Sequence, residues 1–254
     1  MKLYLSSISG VKKWLLNGEL SPFNIFTLES FYSMRNWEKP LISKFGAFLL
    51  DSGAFTFMSN AKKHENIDWL SYVDRYCDFI VENNIKLFFE LDIDKIAGIR
   101  YVEMLRSRIE DKTHRKPIPV WHPSRGKDYW LNMIKEYDYV AIGGIAAKDI
   151  SLAKYEVLFP WMLNQAHRAN VKVHGLGYTK IEKLDKYRFD SIDSTTWTVG
   201  GQFGEISKFN KGKMERISYR KNGVKIKLVK DRDLLTLYNF KEWIKMQQYA
   251  NKYL

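Results

Sequence analysis

The sequence predicts an α/β fold, a TIM-like (β/α)8 barrel that carries a basic C-terminal hairpin and a terminal helix. Three observations predict this fold. Short apolar runs alternate with segments that repeat apolar residues at helical spacing, which is typical of βαβ units and a parallel sheet. The short runs carry apolar residues on both faces, as in buried parallel strands. The length of 254 residues is also close to that of one barrel domain.

The predicted strands and helices follow each other along the chain. The strands are predicted at 2–7, 48–51, 86–92, 117–122, 139–143, 171–176 and 189–193. The helices are predicted near 67–83, 97–112, 127–137, 151–169 and 179–187. A closed barrel needs one more strand, which we expect within 195–229. An open doubly wound sheet is the alternative fold.

The remaining segments complete a single predicted domain over 1–254, with a barrel core at about 46–200. Segment 10–45 is rich in aromatic residues and predicts packed helices and loops. Segment 207–230 is strongly basic, and its Asn222-Gly223 pair predicts a hairpin turn. Segment 232–252 repeats apolar residues at helical spacing and predicts the terminal helix.

The net charge of +12, from 41 basic and 29 acidic residues, indicates a polyanionic partner. A basic surface that serves only solubility is the alternative. Within the hairpin, the candidate phosphate contacts are Lys213, Arg216, Arg220 and Lys225. An edge strand protected from aggregation by its lysines is the other interpretation.

The composition also excludes several classes of protein. Cys77 is the only cysteine, so an internal disulfide and a thiolate-rich zinc site are excluded. We therefore expect no metal and no cofactor. No apolar run approaches the roughly 18 residues of a membrane span, and the first residues do not resemble a secretion signal. We expect a cytoplasmic protein without a membrane partner.

Polar residues and glycines cluster where the predicted strands end, which is the end of a barrel that holds the active site. The carboxylates are Asp51, Asp92 and Asp193. The other members are Ser52, His122, Gly143, Gly144, His174 and Gly175. A single aspartate of this kind is often a helix cap, and a glycine pair is often a tight turn. Their joint placement is what predicts a site.

These residue types suit chemistry at a sugar. One of Asp51 and Asp193 can attack or stabilise an anomeric carbon while the other moves protons. Asp92 can accept hydrogen bonds from the ring N–H and the exocyclic amine of a guanine-like edge. The glycines leave space for a flat ring to approach the backbone. A cap on the next helix is the alternative role for Asp92.

The order of the motifs resembles the tRNA-guanine transglycosylase superfamily over about 46–200. The motifs are Asp-Ser-Gly-small-Phe, Leu-Asp, Gly-Gly-hydrophobic-Ala, small-Gly-hydrophobic-Gly and a late strand-end Asp. Val-His-Gly-Leu-Gly at 173–177 and Ser-Ile-Asp-Ser-Thr-Thr-Trp at 191–197 are similar to its phage and bacterial DNA branch, the DpdA-like 7-deazaguanine DNA transglycosylases.

The resemblance implies a role for each strand-end residue. Asp193 matches the nucleophile that attacks C1′. Asp51 matches the general acid/base, and Ser52 lies beside it in the sequence. Asp92 matches the carboxylate that recognises the base. The resemblance places Gly143, Gly144, His174, Gly175 and, less closely, His122 around the base. An imidazole bonded only within the barrel mouth is the alternative for His122. Trp197 and Tyr178 are candidates for stacking on an extruded base, with core packing as the alternative for Trp197.

The tRNA enzymes of the superfamily carry a zinc site of three cysteines and a histidine after the barrel, and this chain has no cysteine after Cys77. The resemblance therefore implies DNA rather than tRNA as the nucleic acid, and a free 7-deazaguanine (7-cyano-7-deazaguanine or a relative) as the second substrate. It implies no zinc, and a monomer. The alternatives are a zinc-free tRNA enzyme, a glycoside hydrolase or nucleosidase, and a degenerate barrel that binds DNA or a nucleobase without catalysis.

Overall fold

The computed structural model describes residues 1–59, 67–221, 224–226 and 231–254. The chain folds as two compact units, which are described separately below. The first unit consists of Met1–Leu28, Phe45–Ala47 and Gly177–Leu254. The second unit consists of Glu29–Lys44 and Phe48–Leu176. Within the described residues, no helix combines the length and the apolar character needed to cross a membrane.

The α/β class is confirmed, but the closed eight-stranded barrel is not. In the described residues the main sheet has seven strands, all parallel. They are β1 (Lys2–Ser6), β2 (Phe26–Ser30), β3 (Ala47–Asp51), β4 (Val120–Trp121), β5 (Tyr139–Ile142), β6 (Lys172–Gly175) and β7 (Ser191–Ser194). The strand predicted over 86–92 is reduced to isolated bridges, and β2 lies in a segment predicted to hold only helices and loops.

Most predicted helices are present. The helices are α1 (Lys12–Leu16), α2 (Ala54–Ser59), α3 (Trp69–Glu82), α4 (Asp94–Ala97), α5 (Ile99–Thr113), α6 (Gly126–Glu136), α7 (Leu152–Arg168), α8 (Thr196–Phe203) and α9 (Arg232–Tyr253). Side-chain caps start several of them: Asp68 accepts from the Ser71 N–H, and Asp231 accepts from the Leu234 N–H.

The helix predicted at 179–187 is wrong. Only a 3₁₀ turn forms there, at Ile181–Lys183. The apolar residues Ile181, Leu184 and Tyr187 recur every third residue, which matches the three-residue period of a 3₁₀ helix rather than that of an α-helix. Leu184 and Tyr187 are buried, so this short turn satisfies the apolar pattern.

In the first unit β1 lies between β2 and β7, with Leu5 opposite Thr27 and Tyr4 opposite Asp193. Gln247 of α9 ties the terminal helix to these strands. Its side chain accepts from the Phe26 N–H at 2.9 Å and donates to the Leu3 carbonyl at 2.7 Å. The predicted terminal helix is confirmed, and its buried amide fixes the start of β2.

Two antiparallel pairs stand where the eighth parallel strand was predicted. β8 (Ile206–Asn210) pairs with β9 (Lys213–Ile217), and β10 (Tyr219–Lys221) pairs with β11 (Val224–Ile226). The β8–β9 turn has positive φ at both Lys211 and Gly212, as a type I′ hairpin requires. The predicted turn residues 222–223 lie outside the described residues. Strands with so many charged side chains cannot be covered on both faces in a parallel sheet.

In the second unit β5 lies between β4 and β6. Leu50 bridges Phe88, and Phe89 bridges Ile118. Helices α3 and α5 pack over this region and bury Cys77 in a hydrophobic cluster. Burial raises the pKa of the Cys77 thiol to about 11, which agrees with a packed thiol rather than a nucleophile.

Candidate functional site

A group of charged side chains lies after the Phe88 and Phe89 bridges in the second unit. We call it the strand-end cluster, and it consists of Glu90, Asp92, Asp94, Lys95, Arg106, His122, Arg125 and Asp149. The three acids of 90–94 alternate with Leu91 and Ile93. The cations come from α4, from α5 and from the residues that follow β4. The cluster therefore joins distant parts of this unit through ion pairs.

His122 lies between two carboxylates. Its Nε2 is 2.9 Å from Asp92 Oδ2, and its Nδ1 is 3.1 Å from Asp149 Oδ2. Burial acts to lower the pKa of His122, but the bonds to Asp149 and Asp92 outweigh it and raise the pKa to about 9. At neutral pH the ring is therefore an imidazolium that donates from both nitrogens. A substrate reaches these nitrogens only by displacing a carboxylate.

The two carboxylates that flank His122 differ in their surroundings. Burial raises the pKa of Asp92 above its ordinary value, and the hydrogen bond from His122 opposes this effect. The hydrogen bond from His122 lowers the pKa of Asp149, which also pairs with Lys95. The His122 imidazolium thus supports the charged form of both carboxylates, and at Asp92 it opposes the larger effect of burial.

Glu90 organises the other half of the cluster. It is fully buried, and its Oε1 accepts from Arg125 Nη1 at 2.8 Å and from the Val120 N–H at 2.9 Å. Its Oε2 accepts from Arg106 Nη1 at 3.0 Å. Arg125 also donates to Asp94 Oδ2 at 3.2 Å. Sequence reasoning assigned no role to these two arginines, to Glu90 or to Asp149; the three alternating acids were the signal, because buried carboxylates require cations.

The glycine pair after β5 makes room for this cluster. A Cβ on Gly144, where φ is +75°, would lie 2.4 Å from Asp149 Oδ2 and 2.6 Å from the Tyr155 hydroxyl. A Cβ on Gly143 would lie 2.4 Å from Val120 Cγ1 and 3.1 Å from His122 Cε1. The missing side chains thus allow His122 and Asp149 to meet. The contact of Gly143 and Gly144 with a base stays a prediction.

Asp51 is the last residue of β3, and Ser52 follows it in the same unit. Asp51 Oδ2 accepts from the Gly53 N–H at 2.9 Å, a bond typical of an aspartate just before a helix. Gly53 has a φ of +90°, and its Cβ would lie 2.6 Å from Tyr32 Cβ, so only glycine fits. Ser52 is fully buried, and its hydroxyl has no hydrogen-bond partner among the described residues. A buried polar group of this kind is suited to receive a ligand.

The pair predicted to stack on a base lies at the end of β6. His174 is fully buried, with its ring centroid 5.2 Å from that of Phe89 at an interplanar angle of 59°. Gly175 is paired with Ile142 across β5 and β6. The His174 ring is therefore covered by protein, and its stacking on a base stays a prediction.

In the first unit Asp193 lies near the end of β7 and is 8% exposed. Its Oδ1 accepts from the Gly177 N–H at 2.6 Å. The structure thus brings together the two motifs at 173–177 and 191–197. Ser194 Oγ accepts from the Thr196 N–H at 3.1 Å, where α8 begins. A backbone donor orients the Asp193 carboxylate without transferring a proton to it.

The two aromatic residues suggested for stacking are part of the core. Trp197 is fully buried, donates from Nε1 to the Ser6 carbonyl at 2.8 Å and packs on Phe240 at 4.7 Å between ring centroids. Tyr178 is also fully buried, and its ring centroid lies 5.4 Å from that of Phe189. Core packing, the alternative for Trp197, is what the structure shows, and stacking by either ring on an extruded base stays a prediction, as it does for His174.

A cleft of about 790 Å³ lies in the first unit, and we call it the C-terminal cleft. Its lining includes the bases Lys180, Lys211, Lys213 and Arg216, the aromatic residues Trp243 and Tyr249, and the acids Glu182, Asp185 and Glu215. Lys213 and Arg216 are exposed on β9. Arg220 and Lys225 are opposite each other in the β10–β11 register, and their side chains lie outside the described part of the chain.

No protein-family model, curated protein or solved structure matches this chain. Among the described residues, no group of three or more histidine, cysteine, aspartate or glutamate side chains is arranged to hold a metal ion.

Proposed function

We propose that this protein is a DNA transglycosylase, built on a variant of the (β/α)8 barrel, that exchanges guanine in DNA for a 7-deazaguanine such as 7-cyano-7-deazaguanine. The observation that carries the proposal is the hydrogen bond from Gly177 to Asp193 at 2.6 Å. It joins the two motifs on which the resemblance to the DNA transglycosylases rests. It also fixes the orientation of the buried carboxylate that we propose as the nucleophile.

In the proposed reaction Asp193 attacks C1′ of a deoxyguanosine, and the bond from C1′ to guanine breaks. The product is a covalent glycosyl ester of Asp193. The free 7-deazaguanine then attacks C1′ from the side the guanine left, and the ester bond breaks. Two inversions give net retention. One glycosidic bond is exchanged for another, so the reaction needs no ATP.

The leaving guanine gains a proton and the incoming base loses one. Asp51 has the chemistry to move both protons, because a carboxylate near the base can act as acid and then as base. The carbon that replaces N7 in the new base blocks protonation at that position. The modified base is therefore a poor leaving group, and the exchange becomes effectively one-way.

Recognition of the base is proposed for Asp92, with Ser52 beside Asp51. Asp92 is buried and held by His122 at 2.9 Å, so its position is defined before a base arrives. A charged carboxylate accepts hydrogen bonds from the ring N–H and exocyclic amine that a guanine-like edge presents. An adenine-like edge lacks this pair of donors, so the same carboxylate provides selectivity.

DNA as the partner is supported by the net charge of +12 and by the C-terminal cleft. Exposed Lys213 and Arg216 line the cleft beside the half-buried Tyr249, and basic side chains near an accessible aromatic ring are typical of surfaces that follow a single nucleic-acid strand. A base in duplex DNA must leave the stack before a buried carboxylate can reach its sugar. We therefore expect single-stranded or locally opened DNA to be the better substrate.

The second candidate is a barrel that binds DNA or a nucleobase without catalysis. It is favoured by one observation: Asp51 accepts a hydrogen bond from the Gly53 N–H, a bond that an aspartate before a helix makes without any catalytic role. A zinc-free tRNA enzyme would use the same chemistry on a different nucleic acid. Both alternatives are separated from the DNA enzyme by one assay.

That assay measures base exchange. DNA or tRNA is mixed with the protein and 7-cyano-7-deazaguanine, digested to nucleosides and analysed by mass. We expect the deazaguanine deoxynucleoside from DNA, and a loss of about 10⁴-fold or more in Asp193→Asn, as for removal of a catalytic nucleophile. Asp233→Asn, the same change at an exposed position in the first unit, is the matched control and should stay active.

The other outcomes are equally informative. Product in tRNA alone would keep the mechanism and change the substrate. Free guanine released without a requirement for the new base would indicate a hydrolase. Absence of any product, with DNA still bound, would favour the binding protein over the enzyme.

A further inference from the structure

A continuous chain of ionic contacts runs through the strand-end cluster to Asp92. Lys95, whose side chain is 47% exposed, pairs with Asp149. Asp149 bonds to His122, and His122 bonds to Asp92 at 2.9 Å. Positive and negative groups alternate along this chain, so each one stabilises the charge of its neighbours. Asp149 occupies the position that connects an exposed cation to the buried histidine.

The charge on Asp92 depends on this arrangement. A carboxylate buried without a cation takes up a proton, and a protonated Asp92 would offer a donor where a guanine-like edge requires an acceptor. Besides His122, the charged groups that act on Asp92 are Glu90, which favours protonation, and Arg125, which opposes it. Arg125 is already bonded to Glu90 and Asp94, so His122 is the cation that bonds to Asp92 directly.

His122 in turn depends on Asp149. A neutral imidazole has one N–H and cannot donate to carboxylates on both sides. Burial and the neighbouring Arg125 disfavour the imidazolium, while Asp149 and Asp92 favour it. The backbone positions Asp149 for this contact, since its N–H donates to the Gly144 carbonyl at 3.0 Å. Gly144 lacks the side chain that would block Asp149.

We propose that Asp149 is a positioning residue: it keeps His122 doubly protonated, and through His122 it holds the Asp92 carboxylate in place to accept the guanine-like edge. The part that concerns the base rests on the proposed function. The part that links Asp149 to His122 depends only on the contacts in the strand-end cluster.

The link to His122 is tested by NMR titration of the histidine ring nitrogens in full-length protein. The chain has five histidines, and the His122→Gln variant identifies the signals of His122. In the wild type we expect both ring nitrogens to stay protonated until about pH 9. In Asp149→Asn the loss of the ring proton should move down by about one pH unit or more, because a neighbouring opposite charge shifts a pKa by about 1–3 units.

Asp111→Asn is the matched control, since Asp111 is exposed on α5 in the same unit. It should leave the His122 titration unchanged. A thermal melt checks that each variant is folded. If His122 in Asp149→Asn titrates as in the wild type, the proposal is overturned, whatever the protein does to DNA.

The link to the base is tested by calorimetric binding of 7-cyano-7-deazaguanine at several pH values. Asp149→Asn should bind like the wild type at about pH 6 and about threefold more weakly, or worse, at about pH 8.5, where its His122 has lost the proton. The base also loses a ring proton in alkaline solution, equally for both proteins, so only the difference between them counts.

The outcomes separate the two levels of the inference. A shifted His122 titration with equal base affinity at every pH would refute the connection to Asp92. A wild type that binds no base at any pH would refute the proposed function and the base as ligand, while the titration alone would then decide whether Asp149 holds the proton on His122.

Discussion

Both units contain buried carboxylates next to strands or β-bridges, but the two units hold these carboxylates by different means. In the second unit, Asp92 and Glu90 are bonded by cationic side chains. In the first unit, Asp193 accepts a hydrogen bond from the Gly177 backbone. A backbone amide comes with the fold, whereas the cations that bond to Asp92 and Glu90 must themselves be buried and paired.

The different partners predict which carboxylates contribute mainly to stability and which contribute mainly to catalysis. Removing one partner from a buried ion pair leaves an uncompensated charge, which is strongly destabilising. A carboxylate held by a backbone donor can lose its charge with much less effect on folding. We therefore expect substitutions in the strand-end cluster to lower stability, and Asp193 substitutions to lower activity.

The largest stability effect is expected for Glu90→Gln. The change keeps the shape but leaves Arg106 and Arg125 without their shared anion, and we expect a loss of about 3–5 kcal/mol in the free energy of unfolding. Asp193→Asn should lose about 1 kcal/mol or less, because an amide oxygen still accepts from Gly177. Denaturant unfolding measures the free energy of unfolding of both variants. Equal decreases would contradict the proposed difference between the two units.

A second, smaller effect is expected in the pH dependence of stability. The pKa of His122 rises from 6.5 in the unfolded chain to about 9 in the fold. Its contribution is thus complete below about pH 6.5 and is lost as the pH rises through about 9, up to about 3 kcal/mol. Unfolding of the wild type and of Asp149→Asn across this range checks it. Parallel curves would contradict a role for Asp149 in holding the proton.

The smallest stability effect is expected in the first unit. The double variant Lys213→Gln with Arg216→Gln should change the free energy of unfolding by less than about 0.5 kcal/mol. DNA affinity should fall, and the salt dependence of binding should lose a slope of about two, one for each phosphate contact. The double variant Lys12→Gln with Lys13→Gln, exposed on α1, is the control. An unchanged slope would show that DNA does not bind in the C-terminal cleft.

Several features could be predicted from sequence because they depend on local pattern. Strand β5 is a continuous apolar run, β1 holds the buried run 3–5, and α9 carries its apolar repeat together with the cap at Asp231. The apolar pattern gave a wrong prediction around Ile181–Lys183, because a three-residue apolar repeat was interpreted as an α-helix where only a 3₁₀ turn forms. It also failed for β2, whose buried Thr27 is satisfied by the Leu5 carbonyl 22 positions away.

The sequence by itself determined the α/β class, the parallel strands and the positions of Asp51 and Asp193 at strand ends, because apolar periodicity and chain direction are local properties. Only the tertiary structure decided the partners of these carboxylates. Asp92 meets His122, His122 meets Asp149, and Asp193 meets Gly177 through contacts between residues 16 to 30 positions apart. Burial and charge act through such contacts, and no local pattern specifies which cation or backbone donor a buried carboxylate will meet.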